Sequence, residues 1–526
     1  MHTPFLLKRL SHISLMALGL SQAFCAEVSL AAPIAEQIAN PSTPIKHLVI
    51  IFQENVSFDH YFATYPRAMN PDGEPVFTAK RGTPSINGLT PALIAHNPNA
   101  VKPFRFDRTQ VVTCDQDHSY TAEQEAANHG LMNQFVEKTG ATYSGCDPKQ
   151  VMGYFDGNTV TALWNYAQHF AMSDNHFGTT FGPSTVGALN LVAGQTAGAN
   201  VRNLMAPGNA SEYEVAEGTV IGDPQPQYDD CSTRDVVGMT GKNVGDLLNA
   251  KGVSWGFFEG GFRPTSRTPA GKAICASSHL GSNGKPKGDY IPHHQPFQYY
   301  VSTANPHHLP ATSPGMVGRQ DEANHQYDLA DFWAAVEVHN LPAVSFLKAP
   351  GYQDGHAAYS DPLAEQRFIV DAMNKLQKLP EWKEMAVIIA YDDSDGWYDH
   401  VLAPVVSQSN MVADALTGPG NCGVAPPTAS QGRCGYGPRL PLLVISPYAK
   451  SNFVDSTVTD QSSILRFIED NWGLGRLGNQ SFDEKAGSLE NLFDFSLRSH
   501  RRLFLDPGTG QQIEDEGSNE KHAENR

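Results

Sequence analysis

The segments HLVIIFQ (His47 to Gln53) and MAVIIAY (Met385 to Tyr391) are continuous runs of apolar, largely branched residues with no polar alternation inside them. Runs of that length and composition read as strands buried on both faces, so whatever sheet they join must be covered on each side. Val253 to Phe258, Ala343 to Leu347 and Leu440 to Ile445 are further buried-strand candidates. Between them, Thr185 to Gly194, Asp361 to Leu376 and Gln461 to Trp472 carry apolar residues near helical spacing. Strands alternating with helices place the chain in the α/β class.

The stretches Asn70 to Asp115, Gly198 to Gly241 and Gly260 to Asn324 are rich in Gly, Pro, Asn and Ser. Loops of that length are uncommon unless functional or tied down, so they read as insertions framing a pocket. No internal repeat or interior linker is evident, and one catalytic domain over residues 46–506 is expected. Residues 507–526 are polar, charged and without aromatics, which predicts a disordered tail.

At the start, Lys8 and Arg9 precede the apolar run Ile13 to Leu20 and the small residues Ala23 and Ala26. The pattern predicts a signal peptide over residues 1–26, cleaved somewhere in 23–32, and hence a periplasmic or secreted protein. The run is far shorter than the ~20 residues that span a bilayer, and no other stretch is apolar enough, so no transmembrane segment is expected. Phe24 stands before Cys25, where a lipoprotein signal needs a small residue, so lipidation is not expected. Beyond Cys25, Cys114, Cys146, Cys231, Cys275, Cys422 and Cys434 form an even set suited to disulfides in an oxidising compartment. Pairing in chain order is expected, because each such pair lies within a loop-rich stretch. With a net charge of −18 and no Lys/Arg cluster, nucleic acid is not an expected partner.

Chemistry gathers where the buried runs stop. Glu54-Asn55 ends the first, offering a carboxylate and an amide oxygen where α/β sheets bind ligands. Alone, the pair reads as an ordinary strand-to-turn exit. Asp392-Asp393 ends the second, with Asp395, Asp399 and His400 close behind. Adjacent carboxylates repel unless something screens them, and a metal ion does this better than a solvated loop. Ser184, in Phe181-Gly182-Pro183-Ser184-Thr185, falls at a helix start, where free backbone N–H groups favour an anion. Taken alone, it reads first as a helix cap. His118 in DQDHSY, His293-His294 in IPHHQPF and His356 in YQDGHAAYSDP add imidazoles that can hold phosphate oxygens or pass a proton.

Together, HLVIIFQENVSFDHYF, DQDHSY, FGPSTVGALN, IPHHQPFQYY, YQDGHAAYSDP and AYDDSDGWYDH resemble, in order, the motifs of the bacterial phosphoesterase superfamily of acid phosphatase A-type enzymes and phospholipases C. The resemblance runs from about His47 to Leu505. It implies a three-layer α/β/α sandwich like that of alkaline phosphatase, and one divalent metal ion held by Glu54, Asn55, Asp392 and Asp393. Calcium, magnesium, manganese, zinc and iron all remain open as that ion. Ser184 matches the nucleophile that also touches the metal. Asn55, His118, His294 and His356 match the groups that hold phosphate, the histidines also serving as proton donors. Phospholipases C often carry Thr where this chain has Ser184, so the resemblance is to the acid phosphatase branch. Small phosphomonoesters are the expected substrates, best turned over in mild acid where histidines are protonated, with phospholipid head groups the alternative.

Overall fold

HLVIIFQ and MAVIIAY form adjacent parallel strands in continuous register, from His47 against Met385 to Gln53 against Tyr391. The structure, a computed structural model, describes residues 40–201, 214–497 and 500–514. The expected signal peptide, and Cys25 with it, lies outside these residues. The strands that build the central sheet are β1 (His47–Gln53), β2 (Ala171–Ser173), β3 (Trp255–Glu259), β4 (Gln326–Asp328), β5 (Val344–Lys348), β6 (Met385–Tyr391), β7 (Leu442–Ile445) and β8 (Phe453–Asp455). Their order across this eight-stranded sheet is β4-β3-β5-β1-β6-β7-β2-β8. Only β7 runs against its neighbours.

Every residue of β6 is buried, as is all of β1 except partly exposed His47. Since successive side chains point to opposite faces, both faces of the sheet centre are covered. The helices that frame the site are α1 (Phe58–Phe62), α2 (Thr161–His169), α3 (Ser184–Ala193), α4 (Val244–Lys251), α5 (Leu329–Glu337), α6 (Pro362–Leu376) and α7 (Gln461–Trp472). α3 packs on α4 and α7, while α6 packs on α2. The result is the expected three-layer α/β/α sandwich. Each fully buried branched or aromatic side chain of its core contributes about 1.5–3 kcal/mol.

Local chemistry sets the helix ends. Asp361 caps α6, accepting from the backbone N–H groups of Leu363 at 2.6 Å and Ala364 at 2.8 Å, and Pro362 fills the first helical position. Asp460 caps α7, which stops at Gly473, where φ is +60°. Observed strands agree with the predicted runs to within two residues, while β2, β4 and β8, three residues each, are too short to show a period.

The cysteines pair in chain order, Cys114 with Cys146, Cys231 with Cys275, and Cys422 with Cys434. Residues 507–514 differ from the expected free tail. The Gly510 carbonyl accepts from Asn165 Nδ2 at 2.8 Å, and Leu505 bridges to Gln512. Low hydrophobicity misled here, because backbone hydrogen bonds rather than apolar burial hold this piece. Residues 515–526 lie outside the description. Among the described residues, no helix is long and apolar enough to cross a membrane.

Candidate active site

Register carries the site. Because Gln53 pairs with Tyr391, the next residues along each strand, Glu54-Asn55 and Asp392-Asp393, leave the sheet side by side. Asn55 turns there with φ at +44°, a left-handed conformation that asparagine tolerates better than most residues. Its backbone N–H donates to Asp392 Oδ1 at 3.0 Å, which locks the two strand ends together. α3 approaches the same edge through Gly187, where any Cβ would collide with the Asp392 carbonyl. A glycine at this point lets the helix start reach the strand ends.

That approach places Ser184 Oγ 3.0 Å from Asp393 Oδ2, 3.2 Å from Glu54 Oε2 and 3.4 Å from Asn55 Oδ1. Ser184 does not cap α3. Pro183 holds the cap position without a side-chain bond, and Asp223 takes the Thr185 N–H at 2.9 Å. The capping reading of Ser184 is thereby corrected. A hydroxyl has one hydrogen to donate, yet three acceptor oxygens surround this one in a buried site. The deficit of donors is what a cation relieves, and carboxylate, amide and hydroxyl oxygens are a hard ion's ligands. The oxygens of Glu54, Asn55, Asp393 and Ser184 therefore fit the expected metal, while Asp392 stands beside them with Oδ1 on the Asn55 N–H and Oδ2 3.8 Å from Lys348 Nζ.

The predicted histidines converge on this cluster. Asn55 Nδ2 lies 3.4 Å from His118 Nε2, leaving Asn55 Oδ1 to face Ser184. His294 Nδ1 is 3.3 Å from Glu54 Oε1. The His356 ring stands edge-on to His118, with centroids 6.2 Å apart. His293 turns instead toward Arg234, whose Nη2 lies 3.3 Å from its Nδ1, so His294 is the member of the doublet that joins the site. Asp399 and His400 also turn away. They form a separate buried ion cluster with Asp59 and Arg439, correcting their inclusion in one metal-screened group with Asp392 and Asp393.

Burial, reinforced by Asp392, pushes the Glu54 carboxyl well above the usual carboxylate range against the pull of Lys348. Burial raises Asp393 and Asp395 likewise. For His118 burial works against the charge, but Asp393, Asp395 and Asp115 outweigh it and hold the imidazole well above its ordinary value. Burial lowers His356, drives His294 far down and takes His293 to about 3. The expectation of an acidic optimum, argued from protonated histidines, thus rests on His118 alone.

Several residues escaped the sequence reading. Lys348, last in β5 and 1 % exposed, ion-pairs with Glu54 Oε1 and lies 3.8 Å from Asp392 Oδ2. A lysine directly after a buried apolar run is the signal that would have marked it. Lys287, mostly buried, sits over the Tyr359 ring at 3.3 Å, with Asp354, Glu54 and Asp115 as its acidic surroundings. Asp115, His118, His356 and Asp395 bring one ligand atom each to within 4.8 Å of one another, a second place where a cation could sit. In that group His118 Nδ1 and His356 Nδ1 donate to the carbonyls of Gln116 at 2.9 Å and Ala357 at 2.7 Å. A cavity of about 650 Å3, bordered by His118, Pro183, Tyr143 and Asp223, opens beside the site. The long insertions do frame it, since Asp223, Lys287 and His294 all come from them.

Known proteins with similar sequences run nearly the length of the chain. Phospholipase C A of Mycobacterium tuberculosis is 23% identical over 486 residues, covering 89% of this chain and 81% of that protein. Hemolytic phospholipase C of Pseudomonas aeruginosa is 24% identical over 481 residues, covering 86% of this chain and 56% of that protein. Among solved structures, a protein in the alkaline phosphatase superfamily from Vibrio parahaemolyticus shares 10% identity, with 69% of this chain and 78% of that chain covered at a TM-score of 0.26, a likeness too slight to argue from. Residues 45–475, most of the chain and every element of the site, match the Phosphoesterase family, and the protein belongs to that family.

Proposed function

We propose that this protein hydrolyses phosphomonoesters with one bound divalent metal ion and Ser184 as nucleophile. The observation that carries the reading is the single hydroxyl of Ser184 enclosed by oxygens of Glu54, Asn55 and Asp393. A bound divalent ion would lower the hydroxyl's pKa and offset charge on the phosphoryl oxygens. Ser184 Oγ gives up its proton toward a neighbouring carboxylate and attacks phosphorus in line. The ester oxygen leaves with a proton from the His118 imidazolium, and a phosphoserine remains. Water then displaces Ser184 and releases inorganic phosphate. Asn55, through Oδ1 and Nδ2, fixes the serine and His118 relative to each other.

Lys287, partly buried, adds positive charge beside the site, and a doubly charged monoester gains more from it than a singly charged diester. Ser184, where many phospholipases C have threonine, favours the same substrates. A phospholipase C-type diesterase is the second reading, favoured by the names of the relatives. Export to the periplasm or beyond remains part of the proposal. The deciding assay compares phosphate release from p-nitrophenyl phosphate with phosphocholine release from phosphatidylcholine. Faster monoester turnover supports the first reading; the reverse ranking replaces it with the second. Absence of both, with Ser184→Ala binding vanadate as well as the parent, would make the protein a binder rather than an enzyme.

A further inference from the structure

Glu54 is divided between two sets of partners. Its Oε2 faces Ser184 Oγ at 3.2 Å, while its Oε1 takes the Lys348 ammonium and lies 3.3 Å from His294 Nδ1. Lys348 reaches this point because β5 pairs with β1 on one side and β3 on the other, and it is the last residue of its strand. From there Nζ also stands 3.8 Å from Asp392 Oδ2, on the residue whose Oδ1 secures the Asn55 N–H at 3.0 Å. Each of two expected metal ligands thus has one oxygen occupied by or turned to the lysine. The other oxygen serves the serine or the Asn55 backbone.

We propose that Lys348 is a positioning residue that acts as the centre's built-in second cation, limiting it to one metal ion. The inference rests on the metal-dependent reading above. Charge supports it. Counting the metal's own carboxylate ligands alone, Glu54, Asp392 and Asp393 bring three negative charges, which one ammonium with one divalent ion balances. A second divalent ion in place of the ammonium would leave an excess of positive charge among buried side chains. Geometry supports it too. A carboxylate whose Oε1 is held by an ammonium presents a single oxygen to a metal, whereas a freed carboxylate can chelate or bridge. The Phe52 ring faces Nζ at 5.4 Å, and the lysine side chain is 1 % exposed.

The test uses the full-length protein loaded with manganese, dialysed, and assayed by elemental analysis, vanadate inhibition and thermal unfolding, in wild type, Lys348→Met and Lys348→Arg. Wild type should hold one ion per chain. Lys348→Met should take up a second ion, or hold the first at least tenfold tighter, while vanadate inhibition weakens at least tenfold. Lys348→Arg, which keeps the charge, should stay at one ion. A merely structural lysine would lower stability without raising metal uptake. One ion of unchanged affinity in Lys348→Met, loss of the ion there, or a second ion in Lys348→Arg would each overturn the proposal. If Lys348→Met does not fold, Lys348→Gln, also uncharged, replaces it with the same expected and overturning results. A wild type that binds no manganese would instead remove the metal-dependent reading on which the inference stands.

Discussion

Ser184 Oγ lies 3.0 Å from Asp393 Oδ2, across 209 residues of chain, and the start of one helix meets the end of one strand at that contact. Replacing Ser184 by Ala should abolish turnover, by at least about a thousandfold, while leaving the fold intact. Far-ultraviolet circular dichroism and initial rates on p-nitrophenyl phosphate measure both. A variant retaining more than a few per cent of activity would take Ser184 out of the mechanism.

Glu54→Gln and Asp392→Asn each remove one carboxylate charge from a buried ligand set. Both variants should retain less metal after dialysis, and activity should return on adding excess divalent ion. Elemental analysis is the readout, and metal content equal to the parent's would refute the ligand assignment.

Gly187 lets α3 touch the end of β6, so Gly187→Ala should both destabilise the protein and displace Ser184. Overpacking of this kind costs about 1–3 kcal/mol. Denaturant unfolding should show that loss, and kcat should fall further than the stability change accounts for. A fully active alanine variant would mean that the helix start has slack the structure does not show.

The Asp59 cluster predicts a pH signature remote from catalysis. His400 Nδ1 lies 2.6 Å from Asp59 Oδ2, and although burial opposes its charge, Asp59 raises its pKa above the ordinary 6.5. A group bound more tightly to its proton when folded stabilises the fold fully below its unfolded pKa. That contribution fades as pH rises through the folded value. The melting temperature of His400→Gln should therefore fall furthest below the parent's under pH 6.5 and converge on it in alkali. A difference that grows with pH would contradict the assignment.

Much of this was legible from residue order because the informative segments are short and continuous. β1 and β6 begin and end where their apolar runs do, and Glu54-Asn55 and Asp392-Asp393 stand out as polar pairs closing such runs. Proximity of those pairs was not legible, since it depends on the register of strands more than 300 residues apart. Ser184 illustrates the same limit, because a serine at a helix start has an ordinary use and only the fold excludes it. Asp399 and His400 looked like part of the metal group by spacing alone. Their true partners are Asp59 for His400 and Arg439 for Asp399, and Arg439 comes from a loop that carries no pattern. Lys348 was hidden by the habit of ending a buried strand at its last apolar residue.

Anomalous diffraction from crystals of the manganese-loaded protein tests the central claim most directly. The account predicts one peak in bonding contact with Ser184 Oγ and oxygens of Glu54, Asn55, Asp392 and Asp393. A single peak among Asp115, His118, His356 and Asp395, with Ser184 out of reach of any ion, would contradict it.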